Sequence, residues 1–489
     1  MKKLSLISFA YICLHGCTLG PEYEEPDTST SNITEQTTWQ EDDKDAQTVN
    51  EVKWRNLYQD PGLTPLIEKA LQNNIDLKIA TERMLRSGNA VTSTDADLLP
   101  QVSAQFFGDR EQLSPQYSTS EDIVDDYRML GKVSWEVDLW GKLRRNSESA
   151  LANFQADQAD YYGARISLIA EVANQYYAIQ DIKEQIKLTQ SNILARTKSK
   201  RIAELRHQQG VISGLDVSQS HVELVTEKLK LPALNSNLKS AMYRLSILVG
   251  EAPKTMVLPE RALNTQIYQG RLAGGLSSSL LKRRPDIVAQ ERRLQAANAD
   301  IGAAETDYFP NIVLNGYYGG KSSELDDVLD NAETWLLGFD VTMPIFTWGK
   351  TKANIDNLES QYREVILNYQ YTVLNAFRET AEAFEAFEQT QVEHELKLEL
   401  VSATKENMRI AKLRYSNGSV SYLDVLDAQR NLADAEADFS SAINLHQSAF
   451  INLYKTLGGG WDSESFEAQI RPPEDQTAVS SETTSEVVD

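Results

Sequence analysis

The chain repeats itself, and this duplication constrains its fold more than any other feature of the sequence. The phrase RHQQGVISGLDV, which begins at Arg206, returns as RYSNGSVSYLDV at Arg414, with six of twelve residues identical. Further echoes pair LLPQV with YFPNI and VDLWGK with PIFTWGK, at an offset of 210 residues that later becomes 208. Two tandem repeats, residues 61–250 and 276–458, are therefore predicted to share one architecture, joined by a segment at 251–275.

Each repeat is predicted to contain a helix, two strands, a very long helix, a tight turn and a return helix. The first helix covers residues 62–91 and has a proline in its first turn. Pro100 and Pro310 end a helix and begin a strand in each repeat.

The long helices are predicted from the absence of helix breakers. No proline or glycine occurs from Lys350 to Asn417, which allows about 100 Å of continuous helix at ~1.5 Å per residue. Its counterpart from Lys142 to Gln209 contains only Gly163. Apolar and small residues recur at three-and-four spacing, typical of a packed helix seam: Ile366, Tyr369, Val373, Ala376, Phe377, Thr380, Ala383, Phe384 and Phe387.

The strands are predicted from strict alternation of apolar and polar residues. Two segments show the alternation clearly, and their apolar members are Val133, Trp135, Val137 and Leu139 in one and Leu337, Phe339, Val341 and Met343 in the other. A third segment, with Val102, Ala104 and Phe106, shows it more weakly. Polar loops at 110–126 and 320–333 separate the strands of each pair. The pattern fits a soluble hairpin packed on helices, and it also fits membrane-spanning strands with an apolar outer face. Four strands cannot close a barrel, so the second interpretation requires several chains.

Charge and the N-terminus limit the class of protein. The formal net charge of -23 argues against a nucleic-acid partner, because phosphate would be repelled. Residues 1–16 have the two lysines and apolar stretch of a secretory signal peptide. The ending before Cys17 resembles a lipobox, which predicts an N-acyl diacylglycerol on Cys17, with an ordinary signal peptide as the alternative. Residues 17–60 then form a lipidated tail, and 459–489 an acidic C-terminal tail.

The repeated phrase is predicted to be a helix hairpin at the far end of each arm. Gly210 and Gly418 stand where the long helices end, and Ser213 or Ser421 precedes the return helix. Only the second repeat continues with two carboxylates three residues apart on one helical face, Asp424 and Asp427. A plain turn and a solvated acidic face are the simpler interpretations of these residues.

Several motifs together are similar to the TolC-like outer-membrane efflux proteins, in their lipoprotein branch. They include TLGPEYEEP after Cys17, WRNLYQDPGLTPLIEKALQNNIDLKIA, DLWGK, RRPDIVAQERRLQAANADIGAAETDYFPNI and both tip phrases. The resemblance implies a mainly α homotrimer, with a twelve-helix periplasmic α-barrel joined to a twelve-stranded transmembrane β-barrel, four strands per chain. It implies an outer-membrane location, a periplasmic adaptor, and an inner-membrane transporter of RND type as partners.

The same resemblance assigns roles at the tip. Asp424 and Asp427 match acidic constriction rings, and Tyr415 matches a tyrosine that tethers the closed periplasmic gate. The adaptor-docking turns correspond to Gly210, Val211, Ser213, Gly418, Ser419 and Ser421. A basic tether that some relatives carry two positions after the tip glycine is replaced here by Val420, with Lys412 and Arg414 as candidate substitutes.

These features predict a passive, gated exit duct for drugs or other small molecules. The alternative is a periplasmic coiled-coil lipoprotein without a pore, which the alternating strands disfavour. An enzyme is the third class, but no histidines stand at metal-ligand spacing and no nucleophile motif or phosphate-binding loop is present. We therefore expect no catalytic, cofactor-binding or metal-binding residues.

Overall fold

The computed structural model describes residues 19–24, 60–112, 123–259, 284–330, 332–459 and 461. The predictions for the signal peptide, Cys17, and most of both tails fall outside these residues. Within the described part of the chain, no helix combines the length and apolarity needed to cross a bilayer.

The element order repeats, as the duplicated sequence predicts. In chain order the main elements are α1 (Thr64–Asn73), α2 (Ile75–Asp97), β1 (Gln101–Gln112), β2 (Ile123–Glu136), α3 (Lys142–Gln208), α4 (Gly214–Leu248), α5 (Pro285–Glu305), β3 (Asn311–Ser322), β4 (Glu333–Thr342), α6 (Lys350–Ser416) and α7 (Tyr422–Thr456). Short 3-10 turns at Thr306–Tyr308 and Asp326–Val328 precede β3 and β4.

The two long helices are equal in length. α3 and α6 have 67 residues each, about 100 Å at the usual rise, and their return helices α4 and α7 have 35 residues each. The predicted ends are confirmed to within one residue. Each long helix thus forms an antiparallel hairpin with its return helix.

The predicted single helix at 62–91 is wrong, because the chain breaks at Asn74. This residue has non-helical backbone angles, and its side chain accepts a hydrogen bond from the Leu77 amide at 2.9 Å. The side-chain nitrogen Nδ2 of Asn74 donates to the Leu248 carbonyl at 3.0 Å. Asn74 therefore begins α2 and joins it to the end of α4, since an asparagine at a helix start satisfies an otherwise unpaired amide.

The four strands form one antiparallel sheet in the order β1-β2-β3-β4. One face is apolar and exposed to solvent in the single chain, with Leu337 83% and Phe339 71% accessible. Val102, Phe106 and Val133 lie on this same face, as the register shows. The outer edges of β1 and β4 pair with no other strand among the described residues. The sheet is therefore not the hairpin packed on helices that one interpretation allowed.

The predicted strand limits need correction. β2 ends at Glu136 and β4 at Thr342, so Val137, Leu139 and Met343 lie outside the strands. The reason at the first site is Asp138, whose carboxylate accepts hydrogen bonds from the Leu143 amide at 3.0 Å and the Arg144 amide at 3.1 Å. These bonds satisfy free amides in the first turn of α3 and turn the chain out of the sheet.

The core lies between the helices rather than under the sheet. Leu63, Ile67, Tyr176, Ile179 and Leu245 are fully buried where α1 packs on α3 and α4. The predicted seam of α6 is confirmed, since Tyr369, Val373, Ala376, Thr380 and Ala383 are buried and its other members are half-buried.

Candidate functional site at the helical tip

Both long helices end in the same turn. Gly210 and Gly418 have φ of 75° and 72°, a left-handed conformation that is costly for other residues. The Gly418 amide donates to the Tyr415 carbonyl at 3.1 Å, and the Ser419 amide to the Arg414 carbonyl at 2.9 Å. Equivalent bonds close the first turn, which is the Schellman arrangement of helix ends. All six predicted docking residues are exposed: Gly210, Val211, Ser213, Gly418, Ser419 and Ser421.

Capping boxes begin the two return helices. The Ser421 amide and hydroxyl both donate to the Asp424 carboxylate, at 2.8 and 2.7 Å. These hydrogen bonds hold the pKa of Asp424 below its usual range. In the first repeat the Ser213 amide donates to Asp216 at 3.1 Å. Asp424 is therefore a helix cap, a role that the Ser-x-x-Asp spacing signals by itself.

Asp427 interacts with a different set of groups. Its carboxylate contacts the Arg430 guanidinium one turn along α7. Arg430 also faces α4, where its Nη1 lies 3.9 Å from Oε1 of Glu223. Asp427 is thus connected through Arg430 to the first hairpin of the same chain.

Tyr415 lies between the two hairpins. Its ring centroid is 5.4 Å from that of Tyr422, and the Arg206 guanidinium carbon lies 5.0 Å above the Tyr415 ring. A guanidinium over an aromatic face is attractive. The candidate substitutes Lys412 and Arg414 are exposed and form no ion pair in the described part of the chain. The cation that reaches Tyr415 therefore comes from the first repeat.

A buried charge network lies on the first hairpin behind this contact. Arg196, only 5% accessible, contacts Glu223 and lies 3.4 Å from Glu227. Lys230 is 3.3 Å from Glu227 and 4.0 Å from Asp434 on α7. Near the tip the hairpins therefore meet through charged and polar groups, and such a boundary separates with little loss of buried apolar area.

Sequence reasoning missed Arg196, Arg206, Glu223 and Arg430. The contacts of Arg206 with Tyr415 and of Arg430 with Glu223 cross the hairpin boundary and join residues about two hundred positions apart, and Arg196 meets Glu223 across the first hairpin, so local spacing carries no trace of them. The offset between the repeats is the only sequence signal that brings the two tips together.

Further from the tip, an acid group is buried between α3 and α7. Asp181 is 7% accessible, and its carboxylate accepts hydrogen bonds from Ser440 at 2.5 Å and Gln185 at 2.9 Å. Burial raises the pKa of Asp181 despite these bonds.

Two histidines far apart in sequence also meet, on α6 and α7. The His394 and His446 rings are 6.3 Å apart, and Nδ1 of His446 lies 3.1 Å from the Thr390 hydroxyl. Burial, with a smaller contribution from His394, lowers the pKa of His446. Among the described residues, no three or more His, Cys, Asp or Glu side chains cluster as a metal site would require.

The chain just after Cys17 lies against the sheet end of the helices. The Leu19 amide donates to the Trp140 carbonyl at 3.1 Å. Arg145 donates to the Leu19 and Pro21 carbonyls, both at 3.3 Å, and Asn298 donates to Pro21 at 2.9 Å. Residues 19–21 are therefore held close to the point where β2 leads into α3.

Two helical hairpins of equal length end in paired capped turns and are joined to a sheet whose edges are unpaired among the described residues. This architecture is that of a periplasm-spanning outer-membrane channel protein. The model of the outer membrane efflux protein family matches residues 66–251 and 276–459, and the chain belongs to this family. The resemblance to TolC-like proteins is thereby confirmed at the level of the family.

Individual proteins agree with this assignment. The chain is 31% identical to the probable efflux pump outer membrane protein TtgC of Pseudomonas putida, over 95% of this chain and 97% of that protein. The fold is similar to the open-state MtrE outer membrane channel of Neisseria gonorrhoeae, with a TM-score of 0.82, 30% identity, and coverage of 91% and 98%. A membrane protein from Pseudomonas aeruginosa gives a TM-score of 0.83 at 27% identity, covering 90% and 100%.

Proposed function

We propose that this protein is the outer-membrane channel of a tripartite efflux system. The observation that carries the proposal is the sheet at the end of two rods about 100 Å long. It has an exposed apolar face and two edges that pair with no other strand in the described part of the chain. An open edge cannot remain in lipid, because its backbone groups would lack hydrogen-bond partners. Three copies supply twelve strands and close a barrel, and their twelve long and return helices enclose a duct below it.

The duct itself is passive. An inner-membrane transporter of RND type supplies the energy, and a periplasmic adaptor joins it to the exposed tip turns at Gly210–Ser213 and Gly418–Ser421. Opening requires the adaptor to bind the open form more tightly than the closed form. The relatives named above are efflux and outer-membrane channel proteins, which supports this assignment.

The gate in this proposal consists of the polar boundary between the hairpins. Arg206 over Tyr415, and Arg430 between Asp427 and Glu223, hold the second hairpin against the first. These two contacts take the place of the basic tether, which this chain lacks because Val420 occupies that position. Asp424 supports the gate indirectly, since it caps the helix that carries Asp427.

In the same proposal, the chain is anchored by lipid at Cys17, close to the sheet. The Leu19 amide donates to the carbonyl of Trp140, two residues before α3 begins, so Cys17 is only two residues from a contact at the sheet end of the molecule. Two residues span at most ~7 Å. Acyl chains on Cys17 would therefore enter the membrane leaflet beside the strands.

The test is reconstitution of the purified mature protein in planar bilayers, combined with electrophoresis with and without heating. We expect an SDS-resistant trimer that dissociates on heating and that conducts ions before heating. A heated and refolded monomer serves as the negative control. A stable, compact monomer without conductance would reject the channel.

A further inference from the structure

The first and second repeats of one chain meet through a small set of contacts where α3 begins. Nζ of Lys142 lies 2.6 Å from Oδ1 of Asp307. The ring centroid of Trp140 lies 4.9 Å from that of Phe309, and the indole Nε1 donates to the Pro310 carbonyl at 2.8 Å. Together these contacts join the start of the first long helix to the segment before β3.

Each member of this set has a counterpart in the other repeat. The long helices start 208 residues apart, at Lys142 and Lys350, and strands β1 and β3 start 210 residues apart, at Gln101 and Asn311. These offsets match Trp140 to Trp348, Lys142 to Lys350, Asp307 to Asp97, Phe309 to Leu99 and Pro310 to Pro100. Residue type is kept in every case except Leu99, which is also large and apolar.

Among the described residues of one chain, the counterparts lack the corresponding contacts. Trp348 is 89% accessible and Leu99 is 64% accessible, although both are large apolar side chains. Lys350 and Asp97 are exposed and form no ion pair in the described part of the chain. Trp348 contacts only the neighbouring Phe346 ring, at 4.6 Å between centroids, among the ring contacts of the described residues. Both halves of the contact set are thus present, and in the described part of one chain they do not meet.

We propose that a second copy of this chain fills these positions, so that subunits meet through the contacts that already join the repeats. Lys350 of one copy pairs with Asp97 of the next, and Trp348 packs on Leu99 and donates to the Pro100 carbonyl. The inference rests on the trimer of the proposed function and specifies its interface. Charge complementarity and the matched apolar surfaces both identify the occupant as another copy.

The same correspondence fixes the strand register between copies. Within one chain Val133 is opposite Gly316 and Ser134 is opposite Asn315, which translates to Val341 opposite Phe106 and Thr342 opposite Gln105 of the neighbour. Both pairs match like with like, apolar on the outer face and polar on the inner face. A slip of one residue would turn the outer face of β4 towards the inner face of β1, so the alternation excludes odd slips, and the offsets between the repeats select this register among the even ones.

Charge exchange tests the ion pair. Asp97→Lys or Lys350→Asp alone should lower the trimer association constant by about tenfold, because three weak surface pairs are lost per trimer. The double exchange should restore it. Lys352→Asp is the matched control, since Lys352 pairs with Asp356 of its own helix at 3.0 Å, and it should leave the trimer unchanged. Single variants that behave like the control, or a double variant that is not rescued, would overturn the pairing.

Disulfide trapping tests the register independently of charge. Phe106→Cys combined with Val341→Cys should give covalently linked subunits on non-reducing gels, whereas Phe106→Cys with Leu337→Cys, four residues away on the same face, should not. Each single-cysteine variant controls for unrelated links. A conducting trimer that crosslinks through Leu337→Cys, or through neither pair, would overturn the register and leave the channel intact. Absence of any trimer would overturn both.

Discussion

Asp424 and Asp427 lie one helical turn apart at the tip, yet they interact with different groups. The Asp424 carboxylate is held by Ser421 and caps α7, while Asp427 orients Arg430 towards Glu223 on the first hairpin. The two carboxylates therefore affect the tip in different ways, one through the start of a helix and the other through the boundary between hairpins.

Replacement of Asp427 by asparagine should increase the leak of the closed channel. The charge that orients Arg430 is lost, and a weakening of about 0.5 kcal/mol in each of three subunits raises the open fraction by roughly tenfold. Single-channel recording in planar bilayers measures this fraction. Asp438→Asn removes a charge from the same helix at an ion pair with Lys397 and should have no effect. Equal leak in the two variants would contradict the gate assignment.

The tip glycines should tolerate substitution poorly for a backbone reason alone. No atom lies within 4 Å of a Cβ placed on Gly418, so alanine meets no obstruction there, but its φ of 72° costs roughly 1 kcal/mol. Gly418→Ala should lower the thermal transition and speed proteolysis at the turn.

Gly163 provides the opposite control for this prediction. It lies inside α3, where a Cβ would make only an ordinary 3.7 Å contact with Pro285. Gly163→Ala should therefore stabilise the protein by about 0.5–1 kcal/mol. If both alanine variants shifted the transition in the same direction, the backbone explanation would be wrong.

At the scale of the elements, the contact between α3 and α7 contains a buried acid. Burial raises the pKa of Asp181 above that of the unfolded chain, so its protonated form favours folding at low pH. That contribution is lost as the pH rises through the folded-state pKa, and the ionised group then opposes packing.

Asp181→Asn should therefore raise the thermal transition at pH 7.5 by about 2 °C, the shift that ~1 kcal/mol gives a large domain. The gain should shrink as the pH is lowered towards 4. Circular dichroism melting at several pH values provides the measurement. Glu184→Gln, one turn along α3 and paired with Lys187 at the surface, should show neither effect.

The elements differ in how well the sequence predicts them, for physical reasons. The long helices were predicted to within one residue, because glycines terminate them and nothing inside them breaks the pattern. The break at Asn74 was missed, since the asparagine acts through a tertiary hydrogen bond to Leu248. The predicted strand limit is wrong at Val137 and Leu139, because the alternation continues there although Asp138 already accepts a hydrogen bond from the first turn of α3.

The candidate site is likewise only partly predictable from the sequence. The positions of the tip turns and their glycines follow from local sequence, and so does the capping role that Asp424 shares with Asp216. The partners of Tyr415 and Asp427 do not, because Arg206 and Glu223 reach them only when two hairpins pack side by side. A duplicated sequence reveals which parts correspond, but not which side chains meet between them.

At the scale of the whole molecule, charge should determine which ions pass. The chain carries a formal net charge of -23, and in the proposed trimer three such copies enclose one duct. Cations should therefore permeate more readily than anions, as the reversal potential in a potassium chloride gradient would show. The preference should weaken in 1 M salt, where the screening length falls to about 3 Å. Equal permeability of potassium and chloride in dilute salt would contradict this expectation.

The equal lengths of α3 and α6 restrict which insertions such a protein can accept during evolution. One extra helical turn in a single rod would raise its tip by about 5.4 Å relative to the other. The mouth of the proposed trimer would then have a stepped rim, and a ring-shaped adaptor could no longer contact all six tips evenly. Insertions tolerated by natural selection must therefore come as matched pairs, so the duplicated halves evolve in length as a single unit.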